Sequence, residues 1–350
     1  MSTKTAIILA NFGGPRNLSE IEPFLIELLT DVDVIRTPLP RFFDRWFFTR
    51  IAKKRAPKIA KDYELIGGKS PIFEDTEAVA KKLQAITALE VIPFHRYLPA
   101  THTGFLQTIL EHPADQLIVL PMYPQFSFST TGSIARFFAE RFPSNILQKM
   151  KWIRSYATHP RYIKAMQNCI RDFLNEKGLK EEETFLFFSA HGLPKKYVDQ
   201  GDPYERECRQ SHAAIVEAFP QAASLLAFQS KFGRGEWLRP YTSELCQEPY
   251  RWNQDRKNIV FVPLSFTSDH LETLYEIESI YLRDIQSQGL VAYRCPALNL
   301  RSDWIEALAS FVFKTDNQQC RDPQTPLDVC DSIPCRDRMV LKKCPNDDPE

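Results

Sequence analysis

His191 and Glu272 are the residues of this sequence whose types and positions best suit acid–base or metal chemistry. His191 directly follows the apolar run Thr184–Ala190, and Glu272 lies near the start of Asp269–Gln286, a segment with helical periodicity. A neutral imidazole accepts a proton near neutral pH, and an imidazole beside a carboxylate suits a borderline divalent ion such as Fe²⁺. The pair therefore predicts proton abstraction, metal binding, or both.

A plainer interpretation of the same region stays open. A histidine at a strand end often only caps the backbone, and Asp269 can be a helix N-cap, with Glu272 three residues later as in a capping box. Glu276 follows Glu272 by four residues and shares its helix face. Burial of this face would raise the pKa of one carboxyl, whereas a solvated face would be an ordinary charged surface.

Short apolar segments alternate with longer segments of helical periodicity along most of the chain. The predicted strands are Thr5–Asn11, Glu90–Arg96, Gln116–Pro121, Lys151–Tyr156, Thr184–Ala190, Ser224–Gln229, Asn258–Pro263 and Leu290–Arg294. The predicted helices include Leu18–Leu29, Asp75–Ala88, Arg161–Lys177, Pro203–Ala218, Asp269–Gln286 and Asp303–Phe313. Strands that are apolar on both faces and alternate with helices predict an α/β protein with two doubly wound halves, each built on a four-stranded parallel sheet.

The expected edge of the second sheet explains why His191 and Glu272 should meet. Ligands of open α/β sheets bind beyond the carboxyl ends of the strands. His191 follows one predicted strand at once, and Glu272 follows Asn258–Pro263 after a short connection. Both side chains are therefore expected at the same edge of the same sheet.

Composition along the chain suggests two halves and a tail. We expect the first half at residues 1–156 and the second, which carries His191 and Glu272, at residues 157–313. From residue 314 to residue 350 the chain is polar and rich in proline, so we interpret it as a tail rather than a third domain. The tail contains four cysteines, Cys320, Cys330, Cys335 and Cys344.

Composition also excludes several classes of protein. The 350 residues include 44 Lys and Arg and 44 Asp and Glu, and this zero net charge argues against a nucleic-acid binder. No G-x-G-x-x-G sequence occurs, so we expect no nucleotide. No run approaches the ~18 apolar residues of a membrane span, and the first residues lack the pattern of a signal or transit peptide. We expect a chain that begins at residue 1 and works in the cytoplasm.

The segment Arg36–Lys58 combines positive charge with aromatic side chains. It has eight basic residues and one acidic residue, Asp44. Six large apolar residues within ten positions exceed a single core-facing stripe: Phe42, Phe43, Trp46, Phe47, Phe48 and Ile51. We predict that residues 41–55 form a lid over an apolar ligand and touch the surface of a membrane; an ordinary packed helix with a cationic outer face is the alternative.

Several blocks of this sequence resemble the signature of the ferrochelatase family, especially its chlamydial-type bacterial members. The blocks of the second half are Phe187–Pro194, Gly201–Tyr204 with Cys208, Gln229–Gly233 with Trp237, and Thr267–Ile277. Those of the first half are Asn11–Pro15, Ile66–Gly68 with Ser70, and Tyr123–Gln125 with Ser129–Gly132. They occur in the order typical of the family, which makes a chance match an inadequate explanation.

The resemblance implies insertion of Fe²⁺ into protoporphyrin IX to form protohaem, a lyase-class reaction and the last step of haem biosynthesis. It also implies two Rossmann-like halves with a porphyrin cleft between them. His191 and Glu272 match the family's catalytic residues, which we also expect to contact the metal. The positions that match porphyrin contacts are Phe12, Arg55, Tyr63, Ser70, Trp237 and Phe266. His270 and Glu276 match the polar and acidic helix behind the catalytic pair.

The chemistry of metal insertion agrees with these residue types. A free-base porphyrin is flat and apolar with two propionates, so it needs aromatic walls and Arg, Tyr and Ser donors at its rim. Insertion removes two pyrrole protons, and a base near the ring nitrogens is therefore required. Remote contacts that bend the macrocycle would turn the nitrogen lone pairs toward the metal.

The sequence departs from the family in two places. Some members carry a third acid one helical turn beyond the second, where this sequence has Ile280. Some members hold a [2Fe–2S] cluster through C-terminal cysteines and one cysteine of the first half, where this sequence has Phe128. All four ligands would then come from the tail cysteines, and a cluster, a zinc ion and an unliganded tail stay open as alternatives.

Three other functions compete with this prediction. A coproporphyrin III ferrochelatase is the nearest, because the cleft motifs alone do not distinguish the two porphyrins. A tetrapyrrole cobalt chelatase fits less well, since residues 41–55 and Asp202–Tyr204 are not its pattern. A non-catalytic porphyrin carrier would need no base, and the presence of His191 and Glu272 argues against it.

Overall fold

The computed structural model of the protein describes residues 3–37, 40–233, 235–315, 328–330, 333–335 and 338–340. Its strands are β1 Thr5–Asn11, β2 Glu90–His95, β3 Gln116–Pro121, β4 Met150–Ser155, β5 Thr184–His191, β6 Ala223–Gln229, β7 Asn258–Pro263, β8 Val291–Arg294, β9 Asp328–Cys330, β10 Ile333–Cys335 and β11 Arg338–Val340. Its α-helices are α1 Ile21–Leu29, α2 Arg41–Glu64, α3 Ile72–Thr87, α4 His102–Glu111, α5 Ser133–Arg141, α6 Ser144–Leu147, α7 Pro160–Lys177, α8 Lys195–Asp199, α9 Tyr204–Val216, α10 Thr242–Leu245, α11 Leu282–Gln286 and α12 Ser302–Thr315. Two segments are π-helical, Phe128–Gly132 and Glu272–Tyr281. Short 3₁₀ helices lie at Leu18–Glu20, Pro99–Thr101, Glu181–Glu183 and Pro249–Arg251.

Four parallel strands form the body of the first sheet, in the order β2–β1–β3–β4. Ile8 of β1 lies opposite Ile92 of β2 and Val119 of β3. Phe105 of α4 and Phe138 of α5 belong to the same apolar cluster as Ile8, which is completely buried. Because helices cover the sheet, its central strand can be apolar on both faces.

The second sheet consists of four parallel strands in the order β6–β5–β7–β8. After β5 the chain adds β6 on one side and then crosses to add β7 on the other side. The connections that follow β5 and β7 therefore diverge, and this topological switch point is where open α/β sheets bind ligands. His191 ends β5, and Glu272 follows β7 by one connection, so the strand order brings both to the switch point.

The two parallel four-stranded sheets confirm the predicted α/β fold class. Three strands have the predicted bounds, and the ends of the other five differ by one residue. The larger difference concerns the predicted helix Asp269–Gln286, which is the π-helix Glu272–Tyr281 followed by α11. A π-helix widens each turn without changing residue types, so the amphipathic pattern alone does not distinguish it from an α-helix.

The tail contains three short strands where the sequence pattern predicts none. β9 pairs antiparallel with β4 and so adds a fifth strand at the edge of the first sheet, while β10 and β11 pair antiparallel with each other. Three-residue strands in a polar segment show no alternation of apolar residues that could reveal them. Cys330 lies on β9 and Cys335 on β10, whereas Cys320 and Cys344 lie outside the described residues.

The chain divides into two compact units, one of Met1–Tyr156 with Ile305–Glu350 and one of Ala157–Trp304. The division falls within α12, so the last helix contributes to both. In the first unit the ring of Phe311 lies against that of Tyr156, with centroids 4.8 Å apart. The second unit contains the histidine and glutamate that the sequence singled out.

Candidate active site

The side chains of His191 and Glu272 form a direct pair at the switch point of the second sheet. Nδ1 of His191 lies 2.8 Å from Oε2 of Glu272. The side chain of His191 is 38% exposed and that of Glu272 is 22% exposed. The pair is thus packed on one side and open on the other, as acid–base chemistry on a bound ligand requires.

The hydrogen bond to Glu272 determines which nitrogen of His191 faces a ligand. An ionised carboxylate only accepts, so Nδ1 carries the hydrogen and Nε2 keeps its lone pair in the neutral ring. Nε2 has no hydrogen-bond partner among the described residues. This arrangement makes Nε2 the atom that can take a proton or contact a metal.

The charges of the pair favour protonation of the His191 imidazole. Burial lowers the pKa of His191, but the charge and hydrogen bond of Glu272, together with the charge of Glu276, more than offset burial, so the pKa lies above its usual value. Burial alone would raise the pKa of Glu272, yet the charge of His191 and its hydrogen bond lower that pKa to about 2. Glu272 therefore stays ionised at neutral pH and stabilises a protonated His191.

The backbone around His191 is held at three points. The amide of His191 donates to Oγ of Ser265 at 3.0 Å, and its carbonyl accepts from the hydroxyl of Tyr204 at 3.0 Å. The amide of Gly192 donates to the carbonyl of Gln229 at 2.8 Å. A Cβ on Gly192 would lie 2.7 Å from that carbonyl oxygen and 3.3 Å from Cε3 of Trp237, so the close approach requires glycine.

A second carboxylate, that of Glu276, is linked to the pair through Gln229 at the end of β6 and through Ser230, the next residue. Oγ of Ser230 donates to Oε2 of Glu272 at 3.0 Å and lies 2.6 Å from Oε2 of Glu276. Nε2 of Gln229 donates to the same oxygen of Glu276 at 3.2 Å. Burial, followed by the negative charge of Glu272, raises the pKa of Glu276 to about 7. Glu276 can therefore exchange a proton near neutral pH.

The capping-box interpretation of this segment does not describe the observed contacts. The carboxylate of Asp269 accepts from the guanidinium of Arg294 at 2.8 Å and from the hydroxyl of Thr273 at 2.8 Å, and no side chain caps the π-helix. Glu272 points to His191 rather than back to the backbone. Arg294 also donates to Glu278 at 2.6 Å, so the carboxylate of Glu278 is held in an ion pair with Arg294.

Phe266, His270 and Trp237 surround the pair within the second unit. The ring centroid of Phe266 is 6.3 Å from that of His191 and 4.6 Å from that of His270. Burial lowers the pKa of His270, and its Nδ1 lies 3.1 Å from the carbonyl oxygen of Ser268, so it is a neutral donor at neutral pH. Trp237 is buried beside Gly192. The pair of His191 and Glu272 is thus bordered by aromatic side chains.

The remaining porphyrin-contact candidates belong to the first unit. The ring of Phe12 packs edge-on against that of Tyr97, with centroids 4.8 Å apart. The amide of Ser70 donates to the carbonyl of Pro15 at 2.8 Å, which ties the loop after β1 to the start of α3. Arg55 and Tyr63 both lie on α2, where Tyr63 is buried and Arg55 is half-buried.

The start of α2 exposes a group of aromatic side chains. Phe42 is 68% exposed and Trp46 is 59% exposed, and Phe43 and Phe47 are exposed beside them. The guanidinium of Arg50 lies 5.1 Å from the ring centroid of Trp46. No helix among the described residues is long and apolar enough to cross a membrane. The exposed aromatics depart from the pattern of a helix packed along its whole length.

The described residues contain no cluster of three or more His, Cys, Asp or Glu residues suited to holding a metal ion. His191 and Glu272 offer one nitrogen and one oxygen atom to a metal, which suits an ion that passes through the site. The sequence indicated this pair, but it assigned no role to Gln229 or Ser230, although both belong to one of the motif blocks. Gln229 ends β6 opposite His191 and Ser230 follows it directly, and this position at the carboxyl end of a strand is the signal that could have identified them.

Comparison with known proteins gives a consistent result. The sequence model of ferrochelatase matches residues 4–316. The chain is 45% identical to ferrochelatase of Chlamydia pneumoniae over 310 residues, which are 89% of this chain and 93% of that protein. It is 42% identical to ferrochelatase of Chlamydia abortus over 308 residues, which are 88% of this chain and 95% of that protein.

Two solved structures have a similar fold at low sequence identity. SirB from Bacillus subtilis with Fe³⁺ aligns with a TM-score of 0.51 and 14% identity, over 93% of this chain and all of that chain. A multi-domain protein of Deinococcus radiodurans, described as structurally similar to chelatases, aligns with a TM-score of 0.52 and 13% identity, over 94% of this chain and 58% of that chain. These alignments independently support the two-sheet architecture.

Proposed function

The chain belongs to the ferrochelatase family and is a metal chelatase that inserts iron into a porphyrin; we propose that its porphyrin is protoporphyrin IX and that it forms protohaem in a lyase reaction. The observation that carries the proposed mechanism is the orientation of His191. Its Nδ1 is bound to Glu272 at 2.8 Å, and its Nε2 is left without a partner among the described residues. A porphyrin carrier has no need of a base oriented in this way.

Proton abstraction by Nε2 of His191 is the central step of the proposal. The free-base porphyrin loses two pyrrole protons while the ferrous ion forms bonds to the ring nitrogens, so charge balances when two protons leave for each ion that enters. Nε2 takes one pyrrole proton, and the ionised Glu272 stabilises the imidazolium that results. The site must discharge this proton before His191 can accept the second.

The hydrogen bond between His191 and Glu272 restricts when and through which atoms the two residues can contact a metal. Nε2 cannot hold a proton and bind a metal at the same time, and Nδ1 is occupied by the carboxylate. Contact between His191 and the metal therefore belongs to the stage before proton transfer. Oε1 of Glu272 has no hydrogen-bond partner among the described residues and is the second ligand in this proposal.

We propose porphyrin-binding roles for the residues that match the contacts of the family. Residues 157–313 supply the base, with Phe266 and Trp237 as apolar contacts, and His270 and Glu276 support the pair from behind. Residues 1–156 supply the contacts assigned by motif, which are Phe12, Arg55, Tyr63 and Ser70. Arginine, tyrosine and serine are suited to the propionates, and phenylalanine is suited to the macrocycle.

We further propose that the first turns of α2 rest on the surface of a membrane. Phe42, Phe43, Trp46 and Phe47 are exposed on a helix whose charged residues are mostly basic. Aromatic side chains enter the interfacial layer, and Lys and Arg are attracted to anionic lipids. Porphyrins are poorly soluble in water, so a helix of this kind would lie near the source of its ligand.

The tail remains a candidate for a [2Fe–2S] cluster. Its four cysteines match the usual number of ligands, and the side chains of all four lie outside the part of the chain whose side chains the structure describes. The cluster is proposed only on this number and on the family resemblance. Its role would be structural, because the motif residues assigned to the reaction lie between Asn11 and Glu276.

Metal insertion measured with two porphyrins tests the proposed function. Purified protein is mixed under anaerobic conditions with Fe²⁺, or with Zn²⁺ as a redox-inert substitute, and with protoporphyrin IX or coproporphyrin III, and porphyrin fluorescence is followed. We expect turnover with higher kcat/KM for protoporphyrin IX, and the His191→Ala protein supplies the background. A preference for coproporphyrin III would replace the proposed substrate, and binding without turnover of either porphyrin would indicate a carrier.

A further inference from the structure

The connections that follow β7 and β8 are joined through Asp269 and Asn299. β7 and β8 are parallel neighbours in the second sheet, so both connections leave the sheet at the same edge. The amide N–H of Asp269 donates to Oδ1 of Asn299 at 2.8 Å, and Nδ2 of Asn299 donates to Oδ2 of Asp269 at 2.8 Å. The amide N–H of Asn299 also donates to the carbonyl oxygen of Thr267 at 2.8 Å. Asn299 therefore holds the connection after β7 through three hydrogen bonds.

Both oxygens of the Asp269 carboxylate accept hydrogen bonds, and each has its own donors. Oδ2 accepts from Asn299, whereas Oδ1 accepts from the guanidinium of Arg294 at 2.8 Å and from the hydroxyl of Thr273 at 2.8 Å. The side chains of Asp269 and Arg294 are each only 13% exposed. A group of the wrong kind at this place would leave a largely buried donor or acceptor without a partner, which is costly.

The backbone of Asn299 lies in a conformation that few residues with a side chain adopt. Its φ is +45°, at the edge of the left-handed region. Glycine enters this region most easily, and asparagine and aspartate enter it at less cost than other residues. Glycine would thus suit the backbone here but would offer no amide group to Asp269. The side chain of Asn299 provides the link to Asp269.

The segment that Asn299 holds leads directly to the pair of His191 and Glu272. Asp269 is three residues before Glu272, whose Oε2 lies 2.8 Å from Nδ1 of His191. We propose that Asn299 and Asp269 are positioning residues that fix Glu272 against His191, an inference that rests on the proposed function. They act through the backbone between residues 267 and 272, and Thr273 extends their hold into the π-helix.

Arg294 has a second acidic partner, and this partner supplies a matched control. The guanidinium of Arg294 also donates to Glu278 at 2.6 Å. The side chain of Glu278 is 46% exposed, and ion pairs of exposed groups contribute little because water screens them. Glu278→Gln removes an acid from the same guanidinium and leaves the contacts between Asp269 and Asn299 in place. We therefore expect it to insert metal as the wild type does.

Exchange of the two side chains tests the proposal because it reverses one hydrogen bond and preserves the others. Asp269→Asn alone brings an amide N–H against Nδ2 of Asn299 or against Arg294 and Thr273, so two donors face each other. Asn299→Asp alone brings a second carboxylate against Asp269. In the double variant the amide at position 269 donates to the carboxylate at position 299, which still accepts from the backbone N–H of residue 269. The amide oxygen at position 269 still accepts from Arg294 and Thr273.

Insertion of Zn²⁺ into protoporphyrin IX is measured for the wild type, both single variants, the double variant and Glu278→Gln. We expect kcat to fall about 10- to 100-fold in each single variant, because misplacement of a catalytic group by about 1 Å can cost about 10²-fold. KM for the porphyrin should change little, and the double variant should recover most of kcat. A wild-type kcat in either single variant overturns the proposal, and so does a double variant as slow as the slower single one.

Thermal unfolding ensures that only folded proteins are compared. Asn299→Gly replaces Asn299→Asp if the latter does not fold, because glycine suits the positive φ and adds no charge. It removes the two side-chain hydrogen bonds to Asp269, so its kcat should fall as in the other single variants. A folded Asn299→Gly protein with the kcat of the wild type overturns the proposal.

Crystal structures of the same proteins without porphyrin separate this inference from the proposed function. The distance between Nδ1 of His191 and Oε2 of Glu272, 2.8 Å in the wild type, should exceed hydrogen-bonding range in the single variants and return in the double variant. An unchanged distance in the single variants overturns the inference, whatever their kcat. The expected pattern of distances in a protein that inserts no metal would overturn only the proposed function.

Discussion

His191 lies directly opposite Gln229 in the parallel pairing of β5 with β6. This register places Oγ of Ser230, the next residue, 3.0 Å from the carboxylate that binds His191, and it allows Gln229 to contact the π-helix that carries Glu272 and Glu276. Three elements that are distant in sequence thus meet because two strands end at the same level. The arrangement couples the position of the base to the position of both carboxylates.

Replacement of His191 by alanine should abolish efficient turnover. Nε2 is the atom positioned to take the pyrrole proton, and a positioned base contributes at least ~10²-fold in rate. We expect kcat for Zn²⁺ insertion to fall by at least ~10²-fold, while porphyrin binding, followed by fluorescence quenching, persists. A variant that keeps more than a tenth of wild-type kcat would show that another group removes the protons.

Glu272→Gln should lower the activity and shift its dependence on pH. The charge and hydrogen bond of Glu272 raise the pKa of His191 against the effect of burial, so without this carboxylate the pKa of His191 should fall. A base of lower pKa stays unprotonated in more acidic solution, so the acid limb of kcat/KM should move to lower pH while the plateau drops. Glu278→Gln is the control, because Glu278 is on the same helix but binds Arg294. An unchanged acid limb would mean that Glu272 does not act on His191.

Glu276→Gln should make stability less dependent on pH. Folding raises the pKa of Glu276 from 4.5 to about 7, so its favourable contribution is fully present below pH 4.5 and is lost as the pH rises through about 7. Glutamine mimics the neutral acid at every pH. We therefore expect equal Tm values for variant and wild type near pH 4.5 and a higher Tm for the variant at pH 8. A difference that does not grow with pH would contradict the raised pKa.

The sequence predicted the strands well because each one has a distinct apolar run. Phe185–Phe188 of β5 and Ile7–Leu9 of β1 are completely or almost completely buried, and such runs at regular intervals leave few alternatives to an α/β fold. His191 and Glu272 could be paired because both follow strands of one sheet. Ligands of open α/β sheets bind beyond the carboxyl ends of the strands, and this rule alone was sufficient to predict that the two side chains lie close together.

Other features of the site depend on geometry that residue types do not encode. The π-helical turn that aligns Glu272 with Glu276 has the same amphipathic pattern as an α-helix. The place of Ser230 in the site depends on a positive φ and on contacts with two residues more than forty positions away in sequence. The pairing of β9 with β4 depends on a polar segment that shows no periodicity.

The exposed aromatics of α2 should give the protein affinity for anionic membranes. We expect co-sedimentation with vesicles that contain phosphatidylserine, weaker binding to phosphatidylcholine vesicles, and release at high salt, because screening reduces the attraction of the basic residues. Replacing Phe42 and Trp46 with serine should reduce binding at low salt, since both side chains are mostly exposed. Vesicle binding that does not depend on lipid charge or on salt concentration would contradict a role of this helix at the membrane.

Phe313→Ser provides a matched control for the membrane experiment. Phe313 is also exposed, at 56%, but it lies on α12, where the neighbouring Phe311 is buried. Its replacement should leave vesicle binding unchanged. A loss equal to that of the α2 variant would point to general hydrophobicity rather than to this helix.

Truncation after Thr315 should preserve the chemistry and reduce stability. His191, Glu272, Glu276 and Ser230 all precede the cut, so kcat should stay within about threefold of the full chain, far less than the loss of a catalytic base. The cut removes β9 and with it the antiparallel pairing to Trp152 and Ile153 of β4, which exposes the edge of the first sheet. We therefore expect a lower Tm and a greater tendency to aggregate. If the tail also binds a [2Fe–2S] cluster, the full-length protein purified without air will contain iron and acid-labile sulfide, and loss of the cluster will lower Tm because its assembly is coupled to folding of the tail. A folded truncation that binds porphyrin but does not insert metal would show that the tail takes part in the reaction.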